Sequence, residues 1–208
     1  MPDSKSGPSR AGGVSGVEEV HCDGADRGRA RAGAVFLDRD GVLNEVVWRD
    51  GAPASPREEA EFVLREEAVG AVARLRAAGY RVFVVTNQPD VARGRLAPAR
   101  LDAMHALLRS RVEIDDERVC PHDDAAGCEC RKPRPGMLTE LAGAWAVELA
   151  ESFLVGDSWR DVAAGRAAGC RTVLLRRSYN EGVEADRVVD TLEEAADWIL
   201  AAGADQGV

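Results

Sequence analysis

Lysines and long apolar runs are scarce in this sequence, and basic residues are outnumbered by acidic ones. No stretch approaches the roughly 18 apolar residues that a membrane-spanning helix needs, and the N-terminus has no apolar signal-peptide core, so we expect a cytoplasmic protein. The 27 basic residues against 36 acidic ones give a net charge of −9, which argues against nucleic acid as a partner. An anionic substrate is still allowed, because a metal ion and a few placed cations can reverse the potential locally.

Only two of the 27 basic residues are lysines, Lys5 and Lys132. Where arginine is used almost everywhere, a lysine kept within a motif indicates that an ammonium group is required there. Lys132 stands in the segment Arg131-Lys132-Pro133. Its ammonium can neutralise charge that develops on a transferred phosphoryl group, while the planar fork of Arg131 can grip a second anionic group. The alternative is a solvated basic patch.

The pattern along the chain predicts a tail followed by one α/β domain. Residues 1–32 have no apolar periodicity, and we predict that they form a disordered N-terminal tail. From residue 33 to about residue 204, short apolar runs typical of buried parallel strands alternate with helical patterns. The predicted strands are 34–37, 82–85, 118–120, 153–155 and 172–175, and the predicted helices are 69–78, 98–111, 135–147, one ending at 168 and one capped by Thr191 and Glu194. This alternation predicts a parallel central sheet with helices on both faces.

Polar motifs follow three of the predicted strands. The residues concerned are Asp38 and Asp40, Thr86 and Asn87, and Asp157 and Asp161. In sheets of this kind, ligands bind beyond the carboxyl ends of the strands. We therefore expect all three motifs to lie at one rim of the sheet.

The segment Asp38-Arg39-Asp40-Gly41 is the first of these motifs. Two carboxylates one residue apart can approach a single site, where a divalent cation would offset their repulsion and desolvation. One carboxylate can attack phosphorus while its neighbour donates and then removes a proton. A solvated turn is the alternative, because Asp and Gly are ordinary turn residues.

The other two motifs offer ligands for a phosphate and for a metal ion. The hydroxyl of Thr86 and the amide of Asn87 can hydrogen-bond a phosphoryl oxygen, although a turn or helix cap would use the same residues. Asp157 emerges from an apolar strand and can complete an oxygen-rich Mg²⁺ shell. Asp161, one helical turn further, can orient Lys132 or can be a helix-start carboxylate favoured by the helix dipole.

Three cysteines and a histidine form a compact cluster. They are Cys120, His122, Cys128 and Cys130. In a cytoplasmic chain such a cluster indicates metal binding before it indicates disulfides. Three thiolates and an imidazole give a closed tetrahedral Zn²⁺ shell, so we predict a structural zinc ion that fixes the loop preceding Arg131 and Lys132. Free thiols are the alternative.

With these motifs in this order, the sequence resembles subclass III of the haloacid dehalogenase (HAD) superfamily, and within it the heptose-bisphosphate phosphatase/histidinol-phosphatase branch. The likeness covers roughly residues 33–202. It rests on the zinc loop and on the segments Phe36-Leu37-Asp38-Arg39-Asp40-Gly41-Val42-Leu43-Asn44, Val85-Thr86-Asn87-Gln88, Arg131-Lys132-Pro133 and Val155-Gly156-Asp157. The resemblance implies a Rossmann-like three-layer α/β/α fold with a parallel central sheet, a minimal cap and a zinc-binding loop.

The resemblance also implies roles for the matched residues. Asp38 would be the nucleophile that forms an aspartyl-phosphate, and Asp40 the acid that protonates the leaving alcohol and then activates water. Thr86 and Lys132 would hold the phosphoryl group. Mg²⁺ would sit on the Asp38 carboxylate, the Asp40 backbone carbonyl and Asp157.

The substrate that the resemblance implies is a small phosphorylated sugar, D-glycero-D-manno-heptose 1,7-bisphosphate, which would lose its 7-phosphate. Arg131 would help to bind the distal part of that substrate. Histidinol phosphate or another sugar phosphate is the alternative substrate, and a zinc-stabilised binding module is the non-enzymatic alternative. We expect a monomer that binds neither nucleic acid nor membrane.

Two departures from the branch can reshape the substrate rim. Pro89-Asp90 stands where the heptose enzymes resemble Ser-Gly, and the zinc loop is shorter than in many of them. Residues 44–62 lie where an enzyme without a cap would place a specificity loop. We predict that Trp48 in this loop stacks on the substrate or walls it off, with packing of the loop onto the body of the protein as the alternative.

Overall fold

The computed structural model describes residues 32–204, so the predicted disordered tail lies, apart from Ala32, outside the described residues. The strands are β1 (Ala34–Leu37), β2 (Val47–Arg49), β3 (Ala52–Ala54), β4 (Arg81–Asn87), β5 (Asp116–Cys120), β6 (Phe153–Gly156), β7 (Arg171–Leu175) and β8 (Arg187–Val189). The helices are α1 (Glu66–Ala77), α2 (Pro98–Arg111), α3 (Gly136–Trp145), α4 (Trp159–Ala168) and α5 (Leu192–Ala204). None of the helices in this part of the chain has the length and apolar character needed to cross a membrane.

Six of the strands form one parallel sheet in the order β5-β4-β1-β6-β7-β8. β1 lies between β4 and β6, and all residues of β1 and β6 are buried. Helices α1, α2 and α5 pack a hydrophobic core on one face of the sheet, and α3 and α4 pack a second core on the other. Because a strand covered on both faces must be apolar along its whole length, β1 has no polar alternation. The predicted three-layer α/β/α arrangement is confirmed.

Predicted and observed helices differ mainly at their ends. Helix α2 has the predicted bounds, whereas α1 begins at Glu66 rather than at residue 69. The first turn of α1 holds Glu66 and Glu67, which the helix dipole favours but which an apolar pattern cannot reveal. Helix α3 ends at Trp145, before the predicted end at 147, because Ala146 adopts a left-handed conformation with a φ of 51°.

The cap of α5 forms largely as predicted. The hydroxyl of Thr191 accepts a hydrogen bond from the backbone N–H of Glu194 at 3.1 Å. The Glu194 carboxylate reaches back to the N–H of Asp190 at 2.9 Å, one residue before the cap. Two otherwise unpaired backbone donors are therefore satisfied at the start of this helix.

A hairpin and an edge strand were not predicted as elements. β2 pairs antiparallel with β3 across Asp50-Gly51, where φ is 51° and 76°. An Asp-Gly pair with positive φ values is a strong hairpin signal, so the sequence did contain it. The hairpin lies within residues 44–62, the segment predicted to be a specificity loop. β8 has three residues and is only partly buried, so no hydrophobic pattern marks it.

Candidate active site

The three polar motifs meet at one rim of the sheet. Asp38 directly follows β1, Thr86 and Asn87 end β4, and Asp157 directly follows β6. Because β1 lies between β4 and β6, the carboxyl ends of these three strands are adjacent. The sheet order thus brings together side chains that are far apart along the chain.

Lys132 is the buried cation of this rim. Its Nζ lies 2.9 Å from Oδ1 of Asp38 and 2.6 Å from Oδ1 of Asp161. It also donates a hydrogen bond to the backbone carbonyl of Val85 at 2.8 Å, and the side chain is only 2% exposed. Burial opposes the charged form of Lys132, but the two carboxylates outweigh burial and raise its pKa. The ammonium group is therefore held charged beside Asp38.

Asn87 holds the backbone of Lys132 in place. Its Nδ2 donates to the Lys132 carbonyl at 3.0 Å, and its Oδ1 accepts from the Lys132 N–H at 3.1 Å. Asn87 lines the cavity beside Asp38, but these two bonds engage both ends of its amide. The predicted contact of Asn87 with substrate stays a prediction, and the structure adds a role in positioning Lys132.

Three aspartates crowd the space around this lysine. Carboxylate oxygens of Asp38, Asp157 and Asp161 lie within 4.8 Å of one another. Burial and the charge of Asp161 raise the pKa of Asp38 well above its usual value, although Lys132 opposes this. Burial and Asp161 likewise raise the pKa of Asp157 to about 7. One ammonium does not offset three buried carboxylates, so the donor set fits a divalent cation that prefers oxygen ligands.

Asp161 has both of the roles considered for it, as a partner of Lys132 and as a carboxylate at the start of a helix. It pairs with Lys132, and its Oδ2 accepts a hydrogen bond from the backbone N–H of Ser158 at 3.0 Å in a capping box at the start of α4. Gly156 makes this approach feasible, because a Cβ at that position would lie 2.2 Å from the Cβ of Asp161. A helix cap therefore orients the carboxylate that in turn orients Lys132.

Gly41 and Tyr179 shape the surroundings of Asp157. Gly41 has a φ of +80°, and a Cβ there would lie 1.8 Å from Oδ2 of Asp157. The phenol of Tyr179 donates a hydrogen bond to the same oxygen. The glycine of the first motif is therefore required by the close approach of the Asp157 carboxylate. Tyr179 was missed by the sequence analysis, because it lies in the irregular segment after β7 and no motif marks it.

Asp40 sits in a ring of hydrogen-bond donors. Its Oδ1 accepts from Arg39 Nη2 at 2.9 Å and from Asn44 Nδ2 at 2.9 Å, and its Oδ2 accepts from Gln88 Nε2 at 2.8 Å. Gln88 Nε2 also donates to the hydroxyl of Thr86 at 2.9 Å, which ties the first motif to the second. Burial alone would raise the pKa of Asp40, but the charge of Arg39 and the surrounding donors outweigh burial and lower it.

The cysteine cluster assembles at the end of β5. The Sγ atoms of Cys120 and Cys128 are 3.7 Å apart, and those of Cys128 and Cys130 are 3.4 Å apart. Nδ1 of His122 lies 3.6 Å from Sγ of Cys120 and 3.2 Å from Sγ of Cys130. A tetrahedral zinc ion separates its ligand atoms by roughly 3.4–3.8 Å, given Zn–S bonds near 2.3 Å and Zn–N bonds near 2.0–2.1 Å. The four predicted ligands can therefore hold a zinc ion with little rearrangement.

The zinc loop is joined to the rim on both sides. The carbonyl of Cys120 accepts the backbone N–H of Gln88 at 2.7 Å. Beyond Cys130, Nε of Arg131 donates to Asp124 at 2.8 Å, and Lys132 follows directly. A change in this loop is therefore transmitted to the segment that carries Lys132.

Replacing Cys130 with serine is expected to reduce bound zinc and to lower the melting temperature by roughly 5–15 °C, because loss of a structural metal costs several kcal/mol and each kcal/mol shifts Tm by about 2–4 °C in a domain of this size. Any activity that depends on Lys132 should fall in parallel, since Lys132 loses its anchored loop. Elemental analysis and thermal unfolding measure the first two effects. Cys170→Ser is the matched control, since Cys170 is buried outside the cluster; equal zinc content and stability in Cys130→Ser and the unaltered protein would contradict the assignment.

A cavity of about 670 Å³ is lined by Asp38, Lys132 and Asp157 together with arginines. The arginines are Arg49, Arg57, Arg93, Arg95, Arg131 and Arg160. Arg57 Nε pairs with Oδ2 of Asp90 at 2.7 Å, which links the segment after the hairpin to the loop after β4. Asp90, the departure from the branch noted in the sequence, therefore braces one wall of the cavity.

Trp48 is the predicted site residue that the structure places apart from the cavity wall. Its indole packs edge-on against the ring of Tyr179, with centroids 5.9 Å apart, and the residue is 56% exposed. This contact corresponds to the alternative considered for Trp48, in which its side chain packs the hairpin onto the body of the protein. Substrate binding by Trp48 stays a prediction.

The fold and the site together define the class of protein, a HAD-like hydrolase with a buried lysine between carboxylates at the rim of a parallel sheet. The chain belongs to the HAD-like hydrolase family, in the group that contains the D-glycero-beta-D-manno-heptose-1,7-bisphosphate 7-phosphatases. The family profile described as HAD-hydrolase-like matches residues 129–200.

Two curated relatives and one solved structure illustrate this membership. The chain is 41% identical over 151 residues to the D-glycero-beta-D-manno-heptose-1,7-bisphosphate 7-phosphatase of Rhodopseudomonas palustris, covering 67% of this chain and 81% of the relative. It is 32% identical over 184 residues to the enzyme of that name from Escherichia coli, covering 83% of this chain and 90% of the relative. The crystal structure of D,D-heptose 1,7-bisphosphate phosphatase from B. bronchiseptica with magnesium and phosphate superposes with a TM-score of 0.71 at 33% identity, covering 82% of this chain and 99% of that one.

Proposed function

We propose that this protein is a Mg²⁺-dependent phosphatase that removes the 7-phosphate of D-glycero-D-manno-heptose 1,7-bisphosphate through an aspartyl-phosphate. The observation that carries the proposal is the buried ammonium of Lys132, 2.9 Å from the carboxylate of Asp38 in an arginine-lined cavity. The two relatives described above are named for this activity. The similar crystal structure from B. bronchiseptica contains magnesium and phosphate.

Asp38 is the nucleophile in this proposal. Its Oδ1 accepts hydrogen bonds from the backbone N–H of Arg39 at 2.7 Å and from Lys132, whereas no hydrogen bond from residues 32–204 reaches Oδ2. Oδ2 therefore attacks phosphorus, the P–O bond to the sugar breaks, and the phosphoryl group moves to the carboxylate. Lys132 and the hydroxyl of Thr86 hold the phosphoryl oxygens and stabilise the charge that develops on them.

Asp40 handles the proton in both steps. It protonates the oxygen of the departing sugar, and it then removes a proton from the water that attacks the aspartyl-phosphate, which regenerates Asp38 and releases phosphate. In the free protein its pKa is lowered, so it binds a proton weakly. A bound phosphate ester adds negative charge close to Asp40, which raises the proton affinity of its carboxylate.

The carboxylates of Asp38 and Asp157 and the backbone carbonyl of Asp40 would hold Mg²⁺. When bound, the ion neutralises charge on the phosphoryl group and offsets the repulsion among the buried aspartates. Tyr179 and Gly41 fix the position of the Asp157 carboxylate, as the contacts above describe.

The cavity suits a substrate with two phosphate groups. Seven aspartates and seven basic residues line it, so a bound divalent cation makes its wall net positive. In this proposal one phosphate occupies the site beside Asp38 and Lys132, and Arg131, which pairs with Asp124 at 2.8 Å, contacts the second phosphate. Asn87 supports the backbone of Lys132 from behind. A cationic amine, as in histidinol phosphate, would be repelled by the same arginines.

The substrate test compares three phosphate esters on the purified enzyme with Mg²⁺. We expect kcat/KM for the heptose 1,7-bisphosphate to exceed kcat/KM for histidinol phosphate by at least about 100-fold. It should exceed kcat/KM for a heptose 7-phosphate by about tenfold, because a substrate without the second phosphate leaves the arginines without an anionic partner in the transition state. Equal or greater activity on histidinol phosphate would overturn the substrate assignment. If none of the three esters, nor an aryl phosphate assayed beside them, released phosphate, the zinc-stabilised binding module would be favoured instead.

A further inference from the structure

A buried polar chain lies behind Asp40. The guanidinium of Arg39 is completely buried, and its Nη1 lies 2.9 Å from Nε2 of His105 on α2. Nδ1 of His105 lies 3.0 Å from Oε2 of Glu117 on β5. The side chain of His105 is itself 4% exposed, so both contacts are shielded from water. The other buried residues of α2 are Leu101, Met104 and Leu108, so no local pattern marks His105 for a chemical role.

The partners of His105 determine where its proton lies. An arginine nitrogen can only donate a hydrogen bond, so Nε2 of His105 must be the acceptor. The ring proton then sits on Nδ1, which faces the Glu117 carboxylate at 3.0 Å. A doubly protonated ring would place an N–H against the guanidinium, which the Arg39 contact disfavours. Its contacts therefore assign His105 the tautomer that carries its hydrogen on Nδ1.

This arrangement fixes the guanidinium from two sides. Nε and Nη2 of Arg39 donate to Asp40 at 3.1 and 2.9 Å, and Nη1 donates to His105. With all three nitrogens engaged, the guanidinium plane cannot turn without breaking a buried hydrogen bond. The orientation of the Asp40 carboxylate depends in part on that plane, together with Asn44 and Gln88.

We propose that His105 is a positioning residue for the acid–base step, holding Arg39 so that the Asp40 carboxylate is aimed at the oxygen of the departing sugar. This inference rests on the proposed function, because it needs Asp40 to protonate a leaving group. His105 does not touch the substrate and acts only through Arg39. The arrangement gives the residue between the two aspartates of the first motif a defined task.

If His105 orients Asp40 in this way, the effect of replacing His105 depends on the leaving group of the ester. A sugar alkoxide is a poor leaving group and needs a well-aimed proton, whereas p-nitrophenolate leaves readily without one. A misoriented Asp40 carboxylate should therefore slow hydrolysis of the heptose bisphosphate much more than hydrolysis of p-nitrophenyl phosphate. A merely structural role for His105 would slow both reactions alike.

The experiment measures kcat and KM for both esters in His105→Leu, His105→Gln and His105→Asn, with the full chain loaded with Mg²⁺ and zinc. In His105→Leu we expect kcat for the heptose bisphosphate to fall by roughly 10–100-fold and kcat for the aryl ester by less than about threefold, since general acid catalysis typically contributes 10²–10⁴-fold. KM should change little. Glutamine places an oxygen near the position of Nε2 and should restore most of the activity, whereas the shorter asparagine should not.

Leu108→Ala is the matched control, because Leu108 is buried on the same face of α2 and no hydrogen bond joins it to Arg39. It should destabilise the protein without changing the ratio of the two kcat values. An unchanged ratio in His105→Leu, or in His105→Asn if the leucine variant does not fold, would overturn the proposal. Unaltered enzyme that hydrolyses neither ester would instead overturn the proposed function, so the two failures are distinguishable.

Discussion

Replacing Asp38 with asparagine should lower the kcat for phosphate release by roughly 10⁴-fold or more while leaving the fold intact. The carboxylate oxygen forms the bond to phosphorus, and an amide oxygen is too weak a nucleophile to replace it. The hydrogen bonds that position Asp38 survive the change, since the amide oxygen can still accept from the Arg39 N–H and from Lys132. The variant should therefore remain able to bind phosphate although it cannot transfer it.

This prediction is checked by steady-state kinetics with the heptose bisphosphate, together with circular dichroism and thermal unfolding. Asp102→Asn is the matched control, because Asp102 is an exposed aspartate on α2 that does not line the cavity. It should behave like the unaltered enzyme in every assay. Retention of full activity in Asp38→Asn would refute both the nucleophile assignment and the aspartyl-phosphate step.

Replacing Lys132 with methionine should damage activity and stability together. The transferred phosphoryl group loses its cationic partner, which we expect to lower kcat by about 10²–10³-fold. In the folded protein the change leaves Asp38 and Asp161 buried without their shared ammonium, and breaking a buried ion pair typically costs about 3–5 kcal/mol. Urea unfolding at matched pH and Mg²⁺ concentration measures the second effect.

A second substitution separates the two consequences of losing Lys132. Adding Asp161→Asn removes one buried negative charge while keeping an oxygen that can accept the Ser158 N–H. The double variant should recover part of the lost stability but none of the lost activity. If Lys132→Met were as stable and as active as the unaltered protein, the bridging ammonium would have neither of the roles assigned to it.

The pKa of Asp38 gives the pH dependence of this stability effect. Its pKa is raised above the unfolded value, so the folded state binds the proton more tightly than the unfolded chain. Stability contributed by this group is therefore greatest at low pH and is lost as pH rises through the pKa of the folded state. Without Lys132 the carboxylate is harder still to ionise, so Lys132→Met should be more destabilising at pH 8 than at pH 5.

Features that depend on neighbours along the chain were predictable. The buried strand before Asp38, the bounds of α2 and the cysteine–histidine cluster follow from local patterns, because the members of the cluster all lie close together in sequence. The rim placement of Asp157 was predictable for a related reason: residues that follow parallel strands must lie at one edge of the sheet.

Most of the contacts that surround each site residue were not predictable. The sequence offered Asp161 as a partner of Lys132, but it did not reveal the strand order that brings Lys132 to both Asp38 and Asp161, in which β1 lies between β4 and β6. Tyr179 and His105 were missed for the same reason, since the first comes from an irregular segment and the second from a helix face that looks like ordinary core.

The sequence by itself thus determined the chemistry available to this protein, namely paired aspartates, one lysine kept in a motif and a thiolate–imidazole cluster. Spacing and side-chain type settle these features, because nucleophiles and metal ligands must have particular functional groups. Only the tertiary structure decided which groups share a charge or a proton, such as Arg39 between Asp40 and His105. Those pairings depend on burial and on distances across neighbouring elements, and both arise only when the sheet and its helices pack together.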